Sequence, residues 1–296
     1  MGFFPLGSAA SEYDRSLVEA FRQGVREAGL VEGRDVVIEV VWTTDETQVP
    51  PAVLKMVQRG AKLLVPVGTT ASMAVKRQAS TTPILFISVG NPLGIGLVES
   101  LAHPGPNVTG FSDNLAELSS KYVQFASELG KSTVVHYLWY SGWTDGQFRL
   151  LVTEQAAQSL KIKLSSRPFN DMTEADEALA AMKKAGASVV IVQPSPFTYR
   201  MREPLIEAAT RHKLATIFAF RPAAAAGSMI TYGPDYADLY RRAAAYLARI
   251  LRGTKPGDLP VEQPSKFELL VNLKTAKAVG VTIPRSMILG ADQVIE

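Results

Sequence analysis

Along almost the whole chain, a run of consecutive apolar residues is followed by a stretch whose apolar positions recur at three- and four-residue spacing. Residues 3–5 are the stub of the first run. Over residues 11–28, Leu17, Val18, Phe21 and Val25 fall at helical spacing, and Gly29 ends the pattern. The runs 35–41, 62–67 and 84–89 are apolar continuously rather than alternately, which predicts strands buried on both faces. The stretches 50–59 and 70–79 between them read as helices. Strands of that kind alternating with helices predict a parallel sheet covered on both sides.

A short strand at 107–111 closes this series and a second one begins. It predicts helix 118–129, strand 134–140, helix 146–160, strand 162–169, helix 174–185, strand 188–192, helix 199–211, and strands 215–220 and 229–232. A long amphipathic helix at 235–252 follows, then a Pro/Gly-rich connector at 253–264, a strand at 267–271 and a helix at 273–279. Those last pieces are too few for a third domain, so they are expected to join the two sheets already formed. The chain must then cross between lobes more than once, which makes a hinge and a cleft. The expected fold class is α/β with two lobes, each a parallel sheet flanked by helices. Residues 1–112 with 233–258 are expected in the first lobe, and 113–232 with 259–296 in the second.

Composition narrows the chemistry. At 296 residues the chain exceeds the roughly 100–200 residues of one domain, in keeping with two lobes. Its 31 basic and 28 acidic side chains are interspersed, so no clustered footprint for nucleic acid exists. Cysteine is absent, which removes disulfides, thiol catalysis and thiolate metal sites together. His103, His136 and His212 are far apart and in no metal-ligand spacing. Neither a G-x-S-x-G elbow nor a phosphate-binding P-loop is present. No catalytic set, metal or cofactor is expected, and the protein reads as a binder rather than an enzyme. No apolar run approaches the ~18 residues of a membrane span. The first residues lack the basic and apolar stretches of a signal peptide, which leaves two readings open at this point, a signal upstream of this sequence or a cytoplasmic protein.

In open α/β sheets ligands bind beyond the carboxyl ends of the strands. The candidates are therefore the residues just after each run. Ser8 lies past the first stub. Gly68, Thr69 and Thr70 open a helix whose first-turn N–H groups suit a carboxylate, with an ordinary helix cap as the competing reading. Asn91 follows the strand 84–89 in a glycine-rich loop. Tyr140 and Trp143 stand at the mouth of strand 134–140, where an aromatic stacks on a ligand or covers the sheet edge. Ser195 and Phe197 follow strand 188–192. Arg221, after strand 215–220, has the fork for a carboxylate, or else forms an ion pair. The Asn107-Val108-Thr109 glycosylation pattern is of a kind that arises by chance. His136, inside a strand, reads as a core residue.

Several stretches together resemble one family: residues 20–29 (AFRQGVREAG) with 31–39 (VEGRDVVIE), Gly90-Asn91-Pro92 with Gly96-Leu97-Val98, residues 104–110 (PGPNVTG), Tyr232-Gly233-Pro234-Asp235, and residues 266–278 (KFELLVNLKTAKA). They resemble, in order and over essentially the whole chain, the ABC-transporter substrate-binding proteins that include tryptophan- and tyrosine-binding members. The resemblance implies a type I periplasmic-binding-protein-like fold with three interlobe crossings and an extracytoplasmic or periplasmic location. It also implies two partners, a small-molecule ligand and an ABC permease in the membrane, for a monomer that binds no nucleic acid. Many relatives carry Asp where Asn91 stands, a charge suited to a ligand's ammonium. With Asn there, a ligand without an amine gains ground, although Asp235 remains a candidate for that role. The ligand expected is a small organic carboxylate, either an aromatic acid or an aromatic or hydrophobic amino acid. An enzyme or an effector-sensing regulator on the same scaffold is the alternative.

Overall fold

In a computed structural model of the chain, which describes residues 1–42, 48–143 and 145–296, the first apolar run is strand β1 (Gly2–Phe4). Helix α1 (Glu12–Glu27) follows, started by Ser11, whose side chain accepts the Asp14 N–H. Then come β2 (Glu39–Val40), α2 (Val49–Gln58), β3 (Leu64–Pro66), α3 (Thr69–Gln78), β4 (Ile84–Val89) and β5 (Val108–Ser112). The second series contains α4 (Ser119–Gly130), β6 (Val134–Tyr140), α5 (Gly146–Ser159), β7 (Lys163–Phe169), α6 (Met172–Lys184) and β8 (Val189–Val192). It continues through α7 (Pro196–Arg200), α8 (Arg202–Arg211), β9 (Ala215–Phe218), α9 (Pro222–Ala225) and β10 (Ile230–Pro234). The long helix α10 (Tyr236–Leu251) is followed by β11 (Phe267–Asn272), α11 (Leu273–Val279), α12 (Arg285–Leu289) and β12 (Gln293–Ile295).

These elements form two compact units, Met1–Asn114 with Asp235–Lys266 and Leu115–Pro234 with Phe267–Glu296, so the chain passes between them three times. The first holds a parallel sheet in the order β2-β1-β3-β4-β5. Strands β1, β3, β4 and β5 are buried along their whole length, as continuous apolar runs require. On one face α1 packs against α10, with Phe3 and Phe21 ring centroids 4.8 Å apart. Each such fully buried apolar side chain contributes roughly 1.5–3 kcal/mol.

The second unit holds a seven-stranded sheet, β12-β11-β10-β9-β8-β6-β7, parallel except where β11 pairs antiparallel with β10. That antiparallel pair and the terminal α12 and β12 lie outside the sequence expectation. Their patterns are short, and nothing in a single strand's apolar run encodes its direction.

Three expectations are corrected in detail. The run 35–41 yields only the two-residue edge strand β2, and Val37 is 67% exposed. The single helix expected over 199–211 is two. Ser195 forms a capping box with Thr198 and Pro196 takes the first helical position, so α7 starts early and breaks at Met201. Residues 259–266 belong with the first unit rather than the second. Val261 N–H donates to Leu101 O (2.7 Å), Glu262 N–H to Gly110 O (3.0 Å) and Ser112 N–H to Glu262 O (2.8 Å), laying this segment along the outer edge of β5.

His136 is buried in β6, as a core residue should be, and its Nδ1 has no hydrogen-bond partner. Burial, helped by the positive charge of Arg167, holds its pKa below the usual histidine value. In this range the unfolded chain takes up the proton first. The stability tied to His136 is therefore complete above about pH 6.5 and is lost as pH falls from there towards the folded value. Denaturant midpoints measured from pH 7.5 to 5 are expected to fall less steeply in His136→Phe than in the parent chain; an identical slope would remove His136 from the account.

Candidate functional site

In the first unit β1, β3 and β4 are adjacent, so the loops leaving their carboxyl ends lie side by side. Gly68 adopts φ +83°, a region costly for any residue with a Cβ, and donates its N–H to Ile87 O at 2.9 Å. As the N-cap of α3 it has no side chain to offer, so no side-chain cap closes the first turn. Thr69 and Thr70 sit there half-buried. The helix dipole at such a turn favours an anion by about 0.3–1 kcal/mol.

The neighbouring candidates are more occupied. Asn91 Oδ1 accepts the Gly94 N–H (2.9 Å) and its carbonyl accepts the Ile95 N–H (3.2 Å), so it shapes its own loop. Ser8 is exposed; its N–H donates to Asp14 Oδ2 (2.8 Å) and its hydroxyl accepts the Ala10 N–H (3.1 Å). Asp235 caps α10, with Oδ1 accepting the Asp238 N–H at 3.0 Å. Asn107 of the glycosylation pattern is partly buried, its amide donating to the carbonyls of Ala79 and Thr82.

At the carboxyl edge of the second sheet, Tyr140 and Phe197 stack at 4.2 Å between centroids and 10° between planes. Phe169 meets Phe197 edge-on at 5.8 Å. Trp143 is buried beside the Arg149 guanidinium, 5.3 Å from its ring centroid. Ser195 and Arg221 are engaged locally. The Ser195 hydroxyl is taken by the Thr198 cap at 3.0 Å. The Arg221 fork, expected to meet a ligand carboxylate, closes instead on Glu268 and Gln293 of its own unit, each at 2.8 Å.

Residues that the pattern did not point to also line these edges. Ser88, at the bulge in β4, holds φ +59° and its hydroxyl donates to the buried Asp113 Oδ2 at 3.0 Å. A non-glycine residue held there stores of order 1–3 kcal/mol of strain, a feature that clusters at functional sites. Asp113 directly follows β5, and the same carboxyl-end rule that pointed to Gly68 would have pointed to it. Arg149 carried no such signal, because α5 shows no separation of polar and apolar faces.

A cavity of about 280 Å³ in the first unit lies at the opposite, amino-terminal ends of β1 to β3, lined by Met1, Val37, Glu39, Arg59 and Lys62 among others. None of the candidates reaches it. Among the described residues, no cluster of side chains could hold a metal ion, and no helix is long and apolar enough to cross a membrane.

Comparison with known proteins matches residues 14–295 to a family model described as ABC transporter substrate-binding protein. A tyrosine-binding protein from Clostridioides difficile is 21% identical over 264 residues, 88% of this chain and 75% of that protein. An ABC domain from Streptococcus pneumoniae solved in complex with L-Trp superposes with a TM-score of 0.86 at 20% identity, covering 99% of both chains. A conserved domain protein from Vibrio cholerae gives 0.86 at 22% identity, over 99% of this chain and 98% of the other. The lac repressor shares the scaffold at a TM-score of 0.62 and 14% identity, over 90% of this chain and 91% of its own. These structural likenesses show a periplasmic-binding-protein-like fold, as the β-α alternation and the motifs led one to expect.

Proposed function

The chain belongs to the ABC transporter substrate-binding protein family, and from that premise we propose that it binds a small aromatic carboxylate and delivers it to an ABC permease in the membrane. The family binds solutes, and this chain is a binding protein, not an enzyme. Proteins of this family act outside the cytoplasm, and we place this one in the periplasm or its equivalent, working as a monomer.

The observation that carries the aromatic part of the reading is the ring pair Tyr140–Phe197 at the carboxyl edge of the second sheet, with Trp143 in the next turn. Flat apolar faces of this kind stack on an aromatic ring. The first turn of α3, open to an acceptor at Thr69 and Thr70, supports an oxygen-bearing head group. For an amino-acid ligand, Asp235 is the carboxylate we assign to the ammonium. Arg221 is left out of the set because its donors are already bonded.

The test is a thermal-shift screen of L-Tyr, L-Trp, L-Phe, phenylacetate and indole-3-acetate, supported by the fluorescence of Trp42, Trp139 and Trp143. A ligand at a hundred times its Kd adds about 2.7 kcal/mol of stability, which for a protein of this size is a Tm rise of roughly 4 °C. If no aromatic carboxylate in the set raises the Tm, the ligand class is wrong.

A further inference from the structure

Arg149 lies in the first turn of α5, and Trp143 stands in the turn that leads from β6 into that helix. Both are inside the second unit, 4% and 8% exposed. Arg149 Nε donates to Asp145 Oδ2 at 3.2 Å, a pair whose two side chains are each 5% exposed. Two buried donors nevertheless have no acceptor, Arg149 Nη1 and Trp143 Nε1. Burying an unpaired donor is costly, more so on a charged group, and folded proteins seldom leave two in one cluster.

The surrounding polar atoms already have partners. Thr153 Oγ1 donates to Arg149 O (2.8 Å) and lies 3.2 Å from Ser119 Oγ. Gln193 Nε2 donates to Gly146 O (2.8 Å), and its Oε1 accepts the Tyr140 N–H (3.3 Å). The Tyr137 hydroxyl sits between Thr153 and Gln193, and burial raises its pKa to about 12, so it stays protonated. None of these neighbours bonds the two orphan donors, which leaves both for an acceptor from outside the protein.

We infer that Arg149 Nη1 and Trp143 Nε1 form a subsite of the second unit that takes the carboxylate of the bound ligand. Both groups only donate, so the subsite accepts an oxygen and rejects an ammonium. Asp145 acts as a positioning residue, holding the guanidinium by Nε and leaving Nη1 for the ligand. The subsite fills the role expected of Arg221, and it rests on the proposed binding of an aromatic carboxylate.

The test is isothermal titration of the whole chain, its Arg149→Lys variant and its Trp143→Phe variant with the five acids above and with the primary amide of each. Lysine keeps a charge facing Asp145 but cannot present the same fork, and phenylalanine keeps the ring without the N–H. Circular dichroism of each variant excludes unfolding, and the two variants are independent of one another. Any acid that binds the parent chain is expected to lose about tenfold or more in each variant, as one charge-assisted hydrogen bond commands. Its amide should bind the parent chain more weakly and lose less on going to Arg149→Lys. Equal Kd values for an acid in all three proteins would overturn the subsite and leave the ligand class standing. Equal binding of acid and amide by the parent chain would also overturn it, since the oxygen read would then be a neutral carbonyl. If no acid binds the parent chain, the ligand class falls and the subsite with it.

Discussion

Asp145→Ala is expected to destabilise the second unit by about 3–5 kcal/mol, the largest effect of any single substitution considered for this protein. The reason is electrostatic. Asp145 and Arg149 are buried together, and removing the carboxylate leaves a guanidinium out of water with neither counter-charge nor an acceptor for Nε. The aromatic face of Trp143 compensates only in part, since a cation–π contact contributes about 2 kcal/mol at best. Asp145→Asn keeps an acceptor for Nε and is expected to cost roughly half as much. The double variant Asp145→Ala with Arg149→Met should recover much of the loss, because it leaves no buried charge at all. Urea unfolding followed at Trp143 fluorescence measures all three. A cost below about 1 kcal/mol for Asp145→Ala would show that water reaches the pair and screens it.

What could be read from the residues follows from the range of the forces involved. Continuous apolar runs and helical spacing are local, so β4 and β6 fall where they were expected to the residue, and α1 within one residue at each end. Edge behaviour is not local. The run 35–41 carries Asp35 and Glu39 among its apolar residues and has only β1 to pair with, and it shrinks to two residues. The assignment of 259–266 depended on hydrogen bonds to Leu101, Gly110 and Ser112, roughly 150 residues earlier in the chain, which no periodicity reveals. The same holds for the site. The carboxyl-end rule pointed to Gly68, Tyr140 and Trp143 as candidates from position alone, and the structure sets them at or just past strand ends. The rule could not say that the Ser195 hydroxyl would be consumed three residues away, or that Arg221 would find Glu268 and Gln293 far down the chain. Arg149 was invisible for the converse reason: a charged residue on a helix without a clear apolar face reads as solvated, and only the fold buries it.

The second large effect is expected at Gly24→Ala, with a net loss of about 2 kcal/mol or more in the first unit. In an isolated helix the change would stabilise α1 by about 1 kcal/mol, since glycine is a poor helix former. Here α1 crosses α10 with no room for a methyl group. A Cβ on Gly24 would lie 2.2 Å from the backbone oxygen of Arg241 and 2.8 Å from the Ala244 Cβ. Backbone cannot swing aside as a flexible side chain does, so the two helices must separate. That separation loosens the packing of Phe21 and Tyr240 on Phe3 in β1 of the first sheet. Gly130→Ala, at the end of α4, is the matched control. Its nearest neighbour for a new Cβ is Ser188 Oγ at 3.5 Å, an ordinary contact, and it is expected to gain up to about 1 kcal/mol from helix propensity. Urea midpoints should therefore move in opposite directions for the same chemical change in two helices. A Gly24→Ala midpoint at or above that of the parent chain would mean that α1 and α10 do not pack this closely.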